Sequence, residues 1–431
     1  MTDAVAVGSR HELTIMAITS EGAGLGRLSD GRVVFAQRTV PGDLALVEIA
    51  SIRPRWARAN LLTLQSHGPD RREPVCPHYD RCGGCTMQHM EYDTALAWKG
   101  RFVMDALTRI GRRSPPPATI HPSPSQTQYR NRITFTVVRS GSGRITAGFH
   151  RLDEPGTIED VDARCVLPEP VISEVWGQLR SCWGPGGARL PGGPRLRLTL
   201  RSIAERDVLM LVEGGDDDGD PEGLISDIPQ LSSIWSQPQG ADDRPVLLAG
   251  EQDLMEQWYG EDTMVRPAAF LQVNRGAAKM LHEHVLAQCM PATEKRVIDA
   301  YCGSGAVGRN LAREGATVTG IDADPEAGQM HGSDTIAGFR MLTGRVEDLI
   351  VGSLPADLVV LNPPRAGVRP PVIEALQKNP PARVVYVSCD PATLARDVRR
   401  LGPTYQISQI HVFDLFPQTS RVEAVLALDR H

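Results

Sequence analysis

A chain of 431 residues exceeds what one hydrophobic core serves, and 41% hydrophobic with 23% charged residues excludes a disordered or fibrous class. No apolar run reaches membrane-spanning length, and "MTDAVAVGSRHEL" lacks a basic stretch followed by an apolar core, so no membrane and no signal peptide are expected, and the reading is a cytoplasmic protein. The net charge of −6 argues mildly against nucleic acid, and eight cysteines in a reducing compartment point to ligands, nucleophiles or buried thiols rather than disulfides.

Between residues 10 and 66, "ELTIMAIT", "GAGLGRLSDGRVVFAQRTV", "DLALVEIASI" and "WARANLLTL" alternate apolar and polar positions between Gly-rich turns, the pattern of a small oligonucleotide-binding barrel. "VCPHYDRCGGCTMQH" follows, with Cys76, Cys82 and Cys85 in a C-x5-C-x2-C array. Thiolates so spaced suit structural zinc or an iron–sulfur cluster, although paired C-x2-C zinc spacing is absent. "YDTALAWKGRFVMDALTRIG" predicts a helix, with Leu96, Phe102, Val103, Ala106, Leu107 and Ile110 on its apolar face and Gly111 ending it. Residues 128 to 212 return to strand-like alternation. There "QYRNRITFTVVRSGSGRITAGFHR" carries five arginines and no carboxylate, either a basic face for a phosphate backbone or an exposed hairpin. The acidic "EGGDDDGDPEG" reads as a solvated loop.

From about residue 260 strands and helices alternate. A helix in "NRGAAKMLHEHVLAQCM" precedes strand, Gly-rich loop, helix and strand in "KRVIDAYCGSGAVGRNLAREGATVTGIDAD", and further strands lie in "ADLVVLNPP", "ARVVYVSCDP", "YQISQIHVFDLF" and "VEAVLALDR". This order predicts an open α/β sheet with ligands at the carboxyl ends of its strands. Asp322, about 20 residues after the glycine loop, can accept hydrogen bonds from ribose hydroxyls. On the loop alone G-S-G-A-V-G also fits NAD. The Asn362-Pro363-Pro364 turn after an apolar strand decides against it, being a substrate-side feature of S-adenosylmethionine-dependent methyltransferases.

Cys389 in "YVSCDP" is either a buried thiol or a nucleophile at the active edge of the sheet. Glu423 in "PQTSRVEAVLAL" is either solvated or a base. Methylation of a pyrimidine at carbon 5 needs both. Thiolate addition to carbon 6 makes carbon 5 nucleophilic, and a base then removes the carbon-5 proton so that the thiolate can leave. Such a thiol calls for a lowered pKa.

Taken together, "CPHYDRCGGCTMQH", "YRNRITF", "FLQVN", "DAYCGSGAVG", "LNPPRAG", "VSCDPATLARD" and "LFPQTSRVEAV" resemble the RNA 5-methyluridine (uracil-C5) methyltransferases, in particular those with a TRAM domain and a [4Fe-4S] cluster. The resemblance spans nearly the whole chain. It implies an α/β, Rossmann-like class I methyltransferase domain (261–431), an N-terminal OB-fold (TRAM) β-barrel (1–68), and a central α+β domain carrying the iron–sulfur cluster (69–260). It also implies a nucleophile at Cys389, a general base at Glu423, and S-adenosyl-L-methionine contacts at Gln272, Tyr301, Asp322 and Asn362. The cluster ligands would be Cys76, Cys82, Cys85 and Cys165. The expected partner is RNA, with 23S ribosomal RNA favoured over transfer RNA, no DNA, and a monomeric enzyme; a non-catalytic RNA-binding relative is the alternative. Two positions depart from the family pattern: Asn362 stands where Asp is usual, and Arg421 where His is frequent.

Overall fold

The computed structural model describes residues 5–141, 143–216, 219–237, 244–327, 330 and 335–431. Strands Arg10–Ile18, Gly24–Arg27, Val33–Ala36, Leu44–Ile52 and Trp56–Ser66 close into a barrel in which the fifth lies between the third and fourth. Alternation points Leu13, Ile15, Val34, Val47 and Ile49 into its core, none more than 1% exposed.

A seven-stranded sheet forms the middle of the molecule, in the spatial order Val246–Gly250, Leu231–Gln237, Asp207–Glu213, Arg195–Ile203, Arg132–Arg139, Ile145–His150 and Ile158–Asp160. Helices Pro170–Cys182 and Pro221–Asp227 share one apolar cluster with it, centred on Phe135 stacked on Trp176 at 4.0 Å. The same cluster takes in Tyr79, Cys82, Cys85 and Cys165. The hairpin Leu254–Trp258 and Glu261–Val265 packs through Leu254 and Val265 on Leu209, Leu211 and Trp235.

The third unit is an eight-stranded sheet ordered Phe339–Thr343, Thr317–Asp322, Arg296–Ala300, Leu358–Leu361, Arg383–Ser388, Glu423–Arg430, Tyr405–Phe413 and Thr119–His121. Every pairing is parallel except the two made by Glu423–Arg430. Helices cover both faces, which is why Leu358–Leu361 is an unbroken apolar run, buried throughout. The chain leaves Arg296–Ala300 toward one side and Leu358–Leu361 toward the other. The crevice between their carboxyl ends is the switch point where ligands bind in open α/β sheets.

Two expectations meet a different arrangement. Residues 92–121, grouped by sequence with the central region, give the α/β sheet a helix (Tyr92–Arg109) and an edge strand: Val103 and Leu107 join its core, and Thr119–His121 pairs with His411–Phe413. Three of the five arginines of the Arg-rich stretch are engaged within the fold rather than forming an open basic face, while Arg144 is exposed. Arg139 is spent on the carbonyls of Gly186, Gly187, Leu190 and Gly193, Arg132 on that of Ala269, and Arg151 on Glu159. The acidic run is exposed as expected at residues 216, 219 and 220, with Asp216 accepting from the Gly192 amide and Asp220 capping Pro221–Asp227 while pairing with Arg189; residues 217 and 218 lie outside the described residues. Among the described residues no helix is long and apolar enough to cross a membrane.

Candidate active site

At the switch point, Tyr301 leaves strand Arg296–Ala300 with φ +60°, followed by Gly303 at +55° and Gly305 at +78°. The Tyr301 and Cys302 amides donate to the Ile321 carbonyl at 2.8 and 3.2 Å, which ties the turn to the next strand. Gly305 opens helix Ala306–Arg313, and a Cβ on it or on Gly308 would stand 2.7 Å from the Phe339 ring. The third glycine of G-S-G-A-V-G therefore serves helix-to-strand packing. Asp322 sits at the next strand end, its carboxylate accepting from the Gly303 amide at 2.8 Å and the Asp324 amide at 2.9 Å.

The turn after Leu358–Leu361 is fixed from two sides. The Asn362 amide donates to the Ala300 carbonyl at 3.2 Å, and the fully buried Asp397 accepts from the Val368 amide and the Tyr386 hydroxyl, both at 2.9 Å. Gly367, at φ +76°, is required there because a Cβ would collide with the Asp397 carboxylate. Asp397 lies on helix Pro391–Leu401, whose N-cap, Asp390, accepts from the Ala392 and Thr393 amides at 3.0 and 2.9 Å. Cys389 is thus set between a buried strand and a capped helix start. Gln272 is presented by the central sheet: Asn131 donates its side-chain amide to the Gln272 carbonyl at 3.0 Å and its backbone amide to the Val273 carbonyl at 2.9 Å.

Glu423 begins the antiparallel strand and is 4% exposed. Burial pushes its carboxyl up to about 8, with the Arg365 guanidinium pulling it back. Burial and then the Glu423 charge push the Cys389 thiol up to about 11, again opposed by Arg365. The expected lowering of the thiol pKa is thereby reversed, since one guanidinium does not offset burial beside a carboxyl group.

Gln272, Tyr301, Asp322, Asn362, Cys389 and Glu423 all line one cavity of about 1230 Å³. The sequence reading gave no role to several other residues on its wall. Arg365 was in view in "NPPR". Asp299, 2% exposed and raised by burial to about 7, sits in the strand just before the glycine loop. Tyr259 and His282 stack at 4.0 Å across a hairpin and a helix that share no motif.

Cys76, Cys82, Cys85 and Cys165 line a second, small pocket with Phe149, Val161 and Leu167. Arg38, from the barrel at φ +64°, shapes the cysteine loop by donating to the carbonyls of Tyr79, Cys82 and Cys85 at 2.5, 2.7 and 2.8 Å. The Gly84 amide donates to Cys82 Sγ at 3.4 Å. Among the described residues, no group of three or more His, Cys, Asp or Glu side chains is placed to hold a metal ion, so the structure gathers the four predicted ligands without forming a metal-binding group.

The family described as tRNA (Uracil-5-)-methyltransferase matches residues 331–431, and the TRAM domain matches residues 4–62. Uncharacterized RNA methyltransferases of Nitratidesulfovibrio vulgaris and a Nostoc species are each 33% identical to the chain, over 98% of it and 96% of their own length. The chain belongs to the uracil-5 RNA methyltransferase family. The Pyrococcus abyssi tRNA (uracil-54, C5)-methyltransferase, solved in complex with S-adenosyl-L-homocysteine, is similar over 97% of this chain and 100% of its own, with a TM-score of 0.74 at 23% identity. The eight-stranded unit therefore has the class I methyltransferase fold, and the barrel is a TRAM domain. As a member of this family the protein is an S-adenosylmethionine-dependent RNA methyltransferase, which excludes the NAD reading of the glycine loop.

Proposed function

We propose that the enzyme methylates carbon 5 of a uridine in structured RNA by covalent catalysis, with Cys389 as nucleophile and Glu423 as general base. The observation that carries this is the meeting of both side chains, from strand ends paired through Ser388 and Ala424, in the cavity that also holds Gln272, Tyr301, Asp322 and Asn362. The Cys389 thiol first gives up its proton to solvent; the thiolate then forms a bond to carbon 6 as the carbon 5–carbon 6 π bond breaks, and the displaced electron pair makes carbon 5 a nucleophile. S-adenosylmethionine supplies the electrophilic methyl group that carbon 5 takes. Glu423 removes the carbon-5 proton, the carbon 5–carbon 6 double bond re-forms, and the thiolate departs. Arg365 favours both ionised forms, which burial otherwise disfavours. The buried Tyr301 hydroxyl, without a partner among the described residues, and the Asp322 carboxylate are placed to meet polar groups of the methyl donor; Asn362 can donate and accept there but carries no charge.

The Cys76, Cys82, Cys85 and Cys165 set is assigned to a [4Fe-4S] cluster. Such a cluster takes one thiolate per iron, and the four cysteines that line one small pocket with Phe149, Val161 and Leu167 supply that number; four thiolates also suit one zinc ion, and the resemblance to the cluster-bearing members favours iron. The TRAM-plus-cysteine arrangement favours 23S ribosomal RNA as substrate, for a monomeric cytoplasmic enzyme, with transfer RNA as the second reading given the similarity to a tRNA methyltransferase. Mass-spectrometric mapping of 5-methyluridine in ribosomal and transfer RNA, from cells with and without the gene, separates the two. Cys389→Ala is expected to abolish methyl transfer while RNA binding persists. Glu423→Gln is expected to accumulate an RNA–protein adduct that resists denaturation. Unchanged turnover in the first variant, or no adduct in the second beside an active wild type, overturns the respective assignment.

A further inference from the structure

The loop 414–422 carries Phe416 and Arg421 to the cavity wall and leads directly into Glu423. At its centre Gln418 holds φ +68°, a left-handed backbone that a side chain adopts only where its surroundings over-determine it, and it is 6% exposed. Those surroundings are specific. The Thr86 and Met87 amides both donate to the Gln418 carbonyl at 3.0 Å. Arg72 donates to its side-chain oxygen at 3.0 Å, and its side-chain nitrogen donates to the Gln126 carbonyl at 3.1 Å. On either side, the Tyr129 hydroxyl donates to the Pro417 carbonyl and the Ser420 amide to Thr86 Oγ1, both at 3.0 Å. These partners lie 288 to 346 residues upstream, so the loop is fixed by other parts of the molecule more than by its own strands.

Register makes this clamp matter. Glu423 is the first residue of a strand hydrogen-bonded on both edges, and a slip of one residue would turn its side chain to the opposite face of the sheet. The length of chain between the clamp and the strand sets how far Glu423 reaches into the cavity.

We infer that Gln418 is a positioning residue for the base: its clamped left-handed backbone and bridging amide fix where Glu423 enters the sheet, and so its aim at the carbon-5 proton. The inference rests on the assignment of Glu423 as base. The affected step is elimination of the adduct, not its formation.

The test uses the full-length enzyme and a uridine-containing substrate RNA. Gln418→Gly accepts φ +68° without strain but loses the bridge to Arg72 and Gln126. Its kcat is expected to fall roughly tenfold with KM for RNA nearly unchanged, as for a modest misplacement of a reacting group. The denaturation-resistant adduct should accumulate above the wild-type level. Gln418→Asn, which tolerates the left-handed region and keeps an amide, should recover part of the turnover and lower the adduct again. A fall in kcat without adduct, or wild-type turnover and adduct beside a lowered melting temperature, shows a merely structural residue and overturns the inference. Glu423→Gln runs alongside as control. If it forms no adduct while the wild type turns over, the base assignment itself has failed and the inference falls with it.

Discussion

At Glu423 burial and the proposed role as base pull in opposite directions. A base must be ionised to take a proton, yet burial raises the carboxyl from 4.5 to about 8. The folded state therefore prefers the neutral acid. Stability from this group is fully present below about pH 4.5 and is lost as pH rises through about 8. Glu423→Gln, neutral and nearly isosteric, is expected to melt near the wild-type temperature at pH 5 and above it at pH 9, by calorimetry across that range. Wild-type turnover, by contrast, is expected to climb through pH 8 as the carboxylate forms. Cys389, Glu423, Tyr301, Asp322 and Asn362 were legible as a cluster because each sits in a short motif at a strand end, and Gln272 because its motif leads into helix Arg275–Cys289. Asn131 and Arg365 also sit in short motifs, but what they do depends on what folds against them: the Gln272 carbonyl for the first, and for the second the Cys389 thiol and Glu423 carboxyl whose ionised forms it favours.

Among the elements, helix Tyr92–Arg109 shows how far periodicity reaches. Leu96, Phe102, Val103 and Leu107 are buried as their spacing predicts, while Ile110, just past the helix end, is 40% exposed. Lys99 breaks the pattern, being a charge on the buried face. It pairs at 2.5 Å with Asp414, each side chain 1% exposed, and donates to the Phe416 carbonyl at 3.1 Å. An apolar stripe announces that a helix has a buried face but not which sheet it covers, and the three-residue strand Thr119–His121 is too short to leave a period. Lys99→Met would strand the Asp414 carboxylate in the core. A loss of about 3–5 kcal/mol is expected from urea unfolding, most of it recovered when Asp414→Asn removes the orphaned charge.

Across the whole molecule, the cysteine segment touches every unit. Arg38 holds it to the barrel, the Gly83 amide donates to the His150 carbonyl in the central sheet, and Thr86 and Met87 hold the loop before Glu423. The barrel and the α/β alternation could be read from local patterns; contacts spanning some three hundred residues have no local trace. If the four cysteines hold the cluster, protein purified without oxygen should be brown and contain iron. Cys85→Ser should lose that colour and unfold at lower temperature, whereas a colourless, zinc-containing preparation would contradict the assignment. The sheet order also governs synthesis. Strand Glu423–Arg430 lies between Arg383–Ser388 and Tyr405–Phe413, both translated before it. Arg383–Ser388 and Tyr405–Phe413 therefore keep open edges until Glu423–Arg430 has been made and joins them. Until that strand inserts between them, the chain has its barrel and glycine loop but lacks the residue proposed as base, so closing the sheet and completing the proposed catalytic pair are a single event.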